Sequence, residues 1–207
     1  MAGRPRLSQS DYVAAAFRIA DDVGLQALTL KALGQHLGVD STAVYRHFRS
    51  KDVLLIAMLD RLLSEQLRPS ESFEDGRTEV EHIADVLRAV LIANPPLATA
   101  MIATLELPDS GVRLIERVAD GLARMGLAGE SLVQHYQMLE YFVLGTCMLD
   151  SDGSVEDWSV RRRRFEKVAA REFRTVARTG TDIQRVADAA FRSGINVLLD
   201  ACAAAAN

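Results

Sequence analysis

Between Ser8 and Leu67 the chain is punctuated in a way that a run of short helices satisfies. Ser8 with Asp11 three residues later reads as a capping-box start, and Leu7 can staple against Tyr12. Val13, Phe17 and Ala20 then recur at helical spacing until Gly24 ends the segment. Thr29 is a good N-cap for a second segment with Leu30, Leu33 and Leu37 on one face, and Gly38 stops it. Val39 lies in the turn, and Asp40 or Ser41 opens a third segment whose inner residues are Val44 and Phe48. A short helix, a glycine-containing turn and another short helix form a helix-turn-helix pattern. Phe17, Leu33, Val39 and Val44 are expected to share one small core.

A fourth helix is expected from Lys51 and Asp52 through Leu55, Leu59, Leu62 and Leu63 to about Leu67. Beyond the polar break "RPSESFEDGRT", the pattern predicts helices near 77–93, 95–105, 110–125, 131–149, 156–178 and 182–205. Asn94, Pro95 and Pro96 end one helix, and the prolines fit the first turn of the next. No strand pattern competes, and strand-forming aromatics make up only 6% of the chain. The expected class is therefore all-α. Residues 1–50 form a three-helix head, with 1–7 a flexible basic arm, and residues 51–207 form a larger helical domain reached through the connecting helix.

Charge divides the same way. Residues 1–51 hold seven Lys and Arg against four acids, leaving +3, whereas the remainder carries −7 of the net −4. A basic head on an acidic body suggests a polyanionic partner for the head alone.

Other classes find little support. No apolar stretch follows the N-terminal charges, so no signal peptide is read. The longest apolar run, Tyr141 to Leu149, is too short to span a bilayer, and no membrane partner is expected. Cys147 and Cys202 sit in apolar helical sequence and read as buried reduced thiols of a cytoplasmic protein. No nucleophile elbow, P-loop, dinucleotide-binding glycine pattern or HExxH occurs, the histidines are scattered and the cysteines are not spaced as metal ligands. Neither enzyme chemistry, metal nor cofactor is expected.

The third segment, "STAVYRHFRS", carries the chemistry. With Val44 and Phe48 turned inward, Ser41, Thr42, Tyr45 and Arg46 face outward. The major groove of B-DNA is about 12 Å wide and displays a distinct donor and acceptor pattern for each base pair. Arg46 can fork onto a guanine edge, Ser41 or Thr42 can bond several bases, and the Thr42 methyl or Ala43 can touch a thymine methyl. Tyr45, His47 and Lys51 suit phosphate oxygens, which set register rather than read sequence. Taken singly, each has a plain reading as a packing or solvated residue; the combination inside a helix-turn-helix carries the weight.

The stretch "LTLKALGQHLGVDSTAVYRHFRSKDVLL", and residues 8–51 generally, closely resembles the DNA-binding head of the TetR family of bacterial transcriptional repressors. The matching elements are Leu28-Thr29, Leu37-Gly38-Val39, Val44-Tyr45-Arg46-His47-Phe48 and Lys51. One departure is Gly34, where alanine is commoner; it would cost about 1 kcal/mol in helix propensity while allowing closer approach of the third helix. The resemblance implies that Thr29, Tyr45, His47 and Lys51 anchor phosphates and that Ser41, Thr42 and Arg46 read bases. Arg4 and Arg6, in the arm, follow the backbone or enter a minor groove.

Over residues 52–207 the resemblance rests on helix order. It implies a dimer through helices 131–149 and 182–205, and the sequence offers Tyr136, Val143, Ala187, Ala190, Phe191, Gly194 and Leu198 for that contact. Two heads about 34–36 Å apart would read a palindromic operator. It also implies a small-molecule pocket. Candidate lining residues are Leu59, Leu63, Val86, Val90, Met101, Leu105, Leu122, Tyr136, Met138, Leu139 and Phe142, with His82, His135, Glu140 or Trp158 as polar contacts. The ligand would be mostly apolar, and repression is the expected output. The run Arg161–Arg164 reads as a solvated helix face. Two rival readings remain open here: a helical binding or interaction protein that contacts no operator, and a small helical enzyme.

Overall fold

The computed structural model describes residues 7–68, 71–104, 107–150 and 183–206. Arg4, Arg6, Leu105, Trp158, the expected helix at 156–178 and the run Arg161–Arg164 lie outside the described residues. Nine α-helices and no strand occur among those described: α1 Gln9–Val23, α2 Leu30–Leu37, α3 Ser41–Tyr45, α4 Lys51–Gln66, α5 Gly76–Ala93, α6 Pro95–Ala103, α7 Asp109–Arg124, α8 Gly129–Asp150 and α9 Ile183–Ala205.

The helices start where side chains can serve their orphan N–H groups. The Ser8 hydroxyl accepts the Asp11 N–H, and Asp11 reaches back to accept from Ser8, a complete capping box. Thr29 caps α2, Asp40 caps α3, Ser50 caps α4 and Asp75 caps α5. Gly38 ends α2 at φ 64°, a left-handed conformation that costs a side-chain-bearing residue about 1 kcal/mol or more.

The chain divides into two compact units: residues 1–68 with 96–112, and residues 69–95 with 113–207. In the first, Tyr12, Val13, Ala16 and Ile19 of α1 join Leu28, Leu30 and Leu33 with Val44 and Phe48 to form the core. α4 packs on α1 and buries Leu54, Leu55, Met58 and Leu59, and this compact unit includes the chain up to Arg68. Phe17, expected in the core, is half-buried at its edge beneath the Arg61 guanidinium, 5.8 Å from the ring centroid, and Val39 and Leu62 are half-exposed too. The reason is steric: α1 turns its Tyr12–Val13–Ala16–Ile19 stripe to the core, leaving Phe17 on the flank. The 96–112 strip adds Leu97, Ala98 and Ala100, and Asp60 on α4 accepts the Ser110 N–H at the start of α7.

In the second unit α5 and α7 touch backbone to backbone. A methyl on Gly76 would meet the Gly121 carbonyl oxygen at 1.9 Å, so only glycine fits. Beside this crossing Glu79 is held by Arg117 and by Arg124. α8 and α9 run antiparallel. Arg88 on α5, almost wholly buried, pairs with Asp150 at the end of α8 (2.8 Å) and with Asp188 near the start of α9 (3.1 Å). A buried guanidinium needs such partners, since losing one strands a charge out of water. At the other end Arg77 reaches Asp200 and Asn196. Both cysteines are buried and free, and burial pushes the Cys147 thiol up to about 11. They lie on opposite sides of the Phe142–Gly194 contact, so they are not positioned to pair.

Gly76→Ala tests the α5–α7 crossing: helix propensity alone would favour alanine by about 1 kcal/mol, whereas the backbone clash predicts a net loss of about 1–3 kcal/mol in urea unfolding. The caps predict a pH dependence. Hydrogen bonds from the Thr78 backbone and hydroxyl hold the Asp75 carboxyl below its ordinary value of 3.8. Its contribution is therefore complete above that value and disappears as pH falls through the lowered one. Asp75→Asn, a cap that does not titrate, should lose less helical circular dichroism than the native chain over that acid range.

Candidate nucleic-acid interface

α3 is only five residues long, too short to be stable without its neighbours. Tertiary burial holds it: Val44 and Phe48 have no exposed surface, and Phe48 meets the Tyr12 ring edge-on at 6.2 Å. Gly34 lets α3 come close, because a methyl there would lie 3.3 Å from both the Val39 carbonyl oxygen and Val44 Cγ2. Past Tyr45 the turn continues through the Phe48 N–H, which donates to the Val44 carbonyl at 2.9 Å.

With that side fixed, Ser41, Thr42, Tyr45, Arg46 and His47 are all exposed, Tyr45 by 56%. The five sequence candidates on this segment thus share one accessible surface. Thr29 is exposed as well; its oxygen accepts the Ala32 N–H at 3.0 Å, and its own hydroxyl hydrogen remains to donate. Lys51 opens α4, and its Nζ donates to the Gln26 carbonyl at 2.9 Å, which leaves two ammonium hydrogens for another acceptor.

Two supporting contacts escaped the sequence reading, and a third, the Asp40 cap, does more than was expected of it. The His47 ring rests on the Tyr12 ring with centroids 4.8 Å apart, so buried Tyr12 sets the angle of an exposed imidazole. The Lys51–Gln26 bond joins residues 25 positions apart, and no pattern in a single sequence announces it. Asp40 accepts both the Thr42 N–H (2.8 Å) and the Thr42 hydroxyl (2.5 Å), and these bonds hold its carboxyl below the usual range. That one had a signal, an Asp two residues before a Thr at a helix start.

The candidate ligand residues are dispersed. Leu63 is buried and Met101 half-buried in the first unit. In the second, Val90, Leu122 and Leu139 are buried, and Val86, Phe142, His135 and Glu140 are half-buried. His82 lies 3.4 Å from Glu71 and 5.1 Å, centroid to centroid, from Phe73. Tyr136 directs its hydroxyl toward Glu140, and burial together with that carboxylate raises its pKa to about 12.

Of the candidate dimer residues, three face inward. Phe191 stacks on Phe142 at 5.8 Å beneath Arg88, Gly194 lies against the Phe142 ring, and Val143 is buried. Packing of α9 on α8 within the chain consumes that stripe. Ala190 is exposed, and Ala187, Leu198 and Tyr136 are half-buried. The outward faces instead carry Val133, Met138, Tyr141, Met148 and Leu149 on α8 and Val197 on α9.

Comparison with known proteins divides the chain into two consecutive parts, the second of which takes in residues 96–112. Residues 13–58 match the family model for bacterial regulatory proteins of the tetR family, and residues 68–205 match that for the tetracyclin repressor-like C-terminal domain. An HTH-type transcriptional repressor of Mycobacterium tuberculosis is 31% identical over 153 residues, 71% of this chain and 59% of the relative's length. The match thus spans about six-tenths of that relative. The class A tetracycline repressor protein of Escherichia coli is 26% identical over 206 residues, covering 96% of this chain and 91% of its own. Among solved structures, the TetR family protein ActR of Streptomyces coelicolor, in complex with (S)-DNPA, superposes with a TM-score of 0.73 at 24% identity, covering 97% of this chain and 99% of its own. The solved structure shows the shared helical fold, and the family models, which together take in most of the chain, give the assignment: this chain belongs to the tetR family of bacterial regulatory proteins.

Proposed function

We propose that this protein is a transcriptional repressor that binds a palindromic operator as a homodimer and releases it when a small, mostly apolar molecule binds in the second unit. The observation that carries the reading is the row Ser41, Thr42, Tyr45 and Arg46, held outward by wholly buried Val44 and Phe48. A single helix of this width fits a major groove. Arg46, Ser41 and Thr42 read base edges; Thr29, Tyr45, His47 and Lys51 hold phosphates, with Arg4 and Arg6 along the backbone or in a minor groove.

One five-residue helix reads too little sequence to choose an operator, so a second head is needed at a separation of about 34–36 Å. Exposed apolar side chains on α8 and α9 (Tyr141, Met148, Val133 and Val197) favour burial against a second copy. The proposed effector site draws on those candidates that lie in the second unit, His82, Val86, Val90, Leu122, Tyr136, Leu139 and Phe142. ActR was crystallised with a small molecule, (S)-DNPA, which supports the sensing role by analogy alone. Release follows from linkage: a ligand that prefers a DNA-incompetent arrangement draws the population there. Inverting occupancy from 99:1 to 1:99 requires a preference of about 5.5 kcal/mol. α7 begins in the first unit and continues in the second, a covalent route for that coupling.

Mobility-shift titration against genomically selected fragments tests the DNA face. Arg46→Ala should cost about 1–3 kcal/mol and relax preference at one base, whereas Lys51→Ala should weaken all sequences alike. Affinity should also fall steeply between about 50 and 200 mM salt. Binding unchanged by both substitutions would refute the assigned face. For the dimer, combining Tyr141→Asp with Val197→Asp should move the sedimentation coefficient from dimer to monomer and weaken operator binding with it; a dimer that persists places the interface elsewhere.

A further inference from the structure

The Thr42 hydroxyl can ordinarily both donate and accept a hydrogen bond, so alone it does not distinguish a base amino group from a base carbonyl. Here its hydrogen is committed. It donates to Asp40 Oδ1 at 2.5 Å, and the same oxygen accepts the Thr42 backbone N–H at 2.8 Å. Asp40 stands in extended backbone at φ −65° and ψ 144°, anchored as the cap of α3, so backbone and side chain hold the carboxylate in place together. The Thr42 bonds favour the ionised carboxylate, and an ionised carboxylate offers no proton in return. Both residues are exposed on the face that carries Arg46.

From this geometry we infer that Asp40 is a specificity-determining residue: it fixes the Thr42 hydroxyl as an acceptor, so that the pair reads an exocyclic amino group, cytosine N4 or adenine N6, on the DNA strand nearest α3. Guanine O6 and thymine O4, both acceptors, would face lone pairs with no proton between them. Asp40 acts on the base only through Thr42, by orienting its hydroxyl. The inference rests on the proposed operator binding and adds the chemistry of one base position to it. The mechanism is a side-chain hydrogen bond and owes nothing to the dipole of so short a helix.

The test selects bound sequences from a random duplex library with the full chain and three variants. Thr42→Val keeps the methyl group and puts a second methyl in place of the hydroxyl; the base position whose preference disappears is the one Thr42 reads. At that position the native protein should select cytosine or adenine. An amine-free base there, 2-pyrimidinone for cytosine or purine for adenine, should cost about tenfold in affinity for the native protein and nothing for Thr42→Val. Asp40→Asn retains an oxygen acceptor and the cap, so base preference should be kept while every sequence binds more tightly, one negative charge having been removed. Asp40→Gly preserves a tolerated cap and frees the hydroxyl to rotate, so guanine or thymine should now be accepted equally, with the other positions unchanged. A thermal melt verifies that this variant is folded.

The inference is overturned if Asp40→Gly selects the same base as the native protein, if the native protein selects guanine or thymine at the Thr42 position, or if loss of the amine costs nothing. A native chain that binds no duplex at about 50 mM salt would instead remove the operator reading itself, an outcome separate from the others because each of them requires DNA to be bound.

Discussion

The burial of Val44 and Phe48 is the interaction on which the head depends. A five-residue helix has no stability of its own, and its N-terminal cap alone supplies about 1 kcal/mol. Two side chains with no exposed surface hold it to Tyr12 and the α2 turn, and truncating an aromatic in such a place ordinarily costs about 3–5 kcal/mol. Those same two residues leave Ser41, Thr42, Tyr45 and Arg46 nowhere to point except outward. The buried pair and the exposed polar row are opposite faces of one short element, so the rotation of the helix about its axis sets both.

Around that element lies a set of contacts that orient rather than anchor. Tyr12 lies against the His47 ring, the Gln26 carbonyl receives the Lys51 ammonium, and Asp40 takes the Thr42 hydroxyl. Each exposed polar group is thereby limited in rotation before any partner arrives, which lowers the ordering entropy that association would otherwise require. The second unit uses buried charge for a comparable purpose. Arg88 and Glu79 are each held by two partners drawn from other helices, which ties α5 to α7, α8 and α9 at defined positions.

Much of this was legible in the sequence because helix ends are local. Ser8, Thr29, Asp40 and Gly38 announce their roles through side-chain chemistry within a few residues, and those ends appear where expected. The exposure of Ser41, Thr42, Tyr45 and Arg46 was legible for the same reason: once Val44 and Phe48 point in, a 3.6-residue period places the rest. What escaped depends on distant neighbours. Phe17 lies on a helical stripe that suits a core, yet α1 is turned so that Arg61 covers it. α8 is apolar nearly all round, so periodicity could not say which side α9 would occupy; Phe191 and Gly194 turned out to serve that internal contact. The Gly76–Gly121 approach joins two helices through residues whose meaning appears only when both backbones are in place.

The first compact unit is discontinuous in the chain, since residues 96–112 return to it after α5 has been made. Its sequence-distant pairings, such as Asp60 with Ser110, raise its contact order, a quantity that slows folding. During synthesis α1–α4 can assemble as soon as they emerge, but their complement of buried leucine and alanine stays incomplete until Ala100 has been added, and by then α5 already exists. A nascent chain halted before that strip would therefore lack Leu97, Ala98 and Ala100 from the buried set of the first unit.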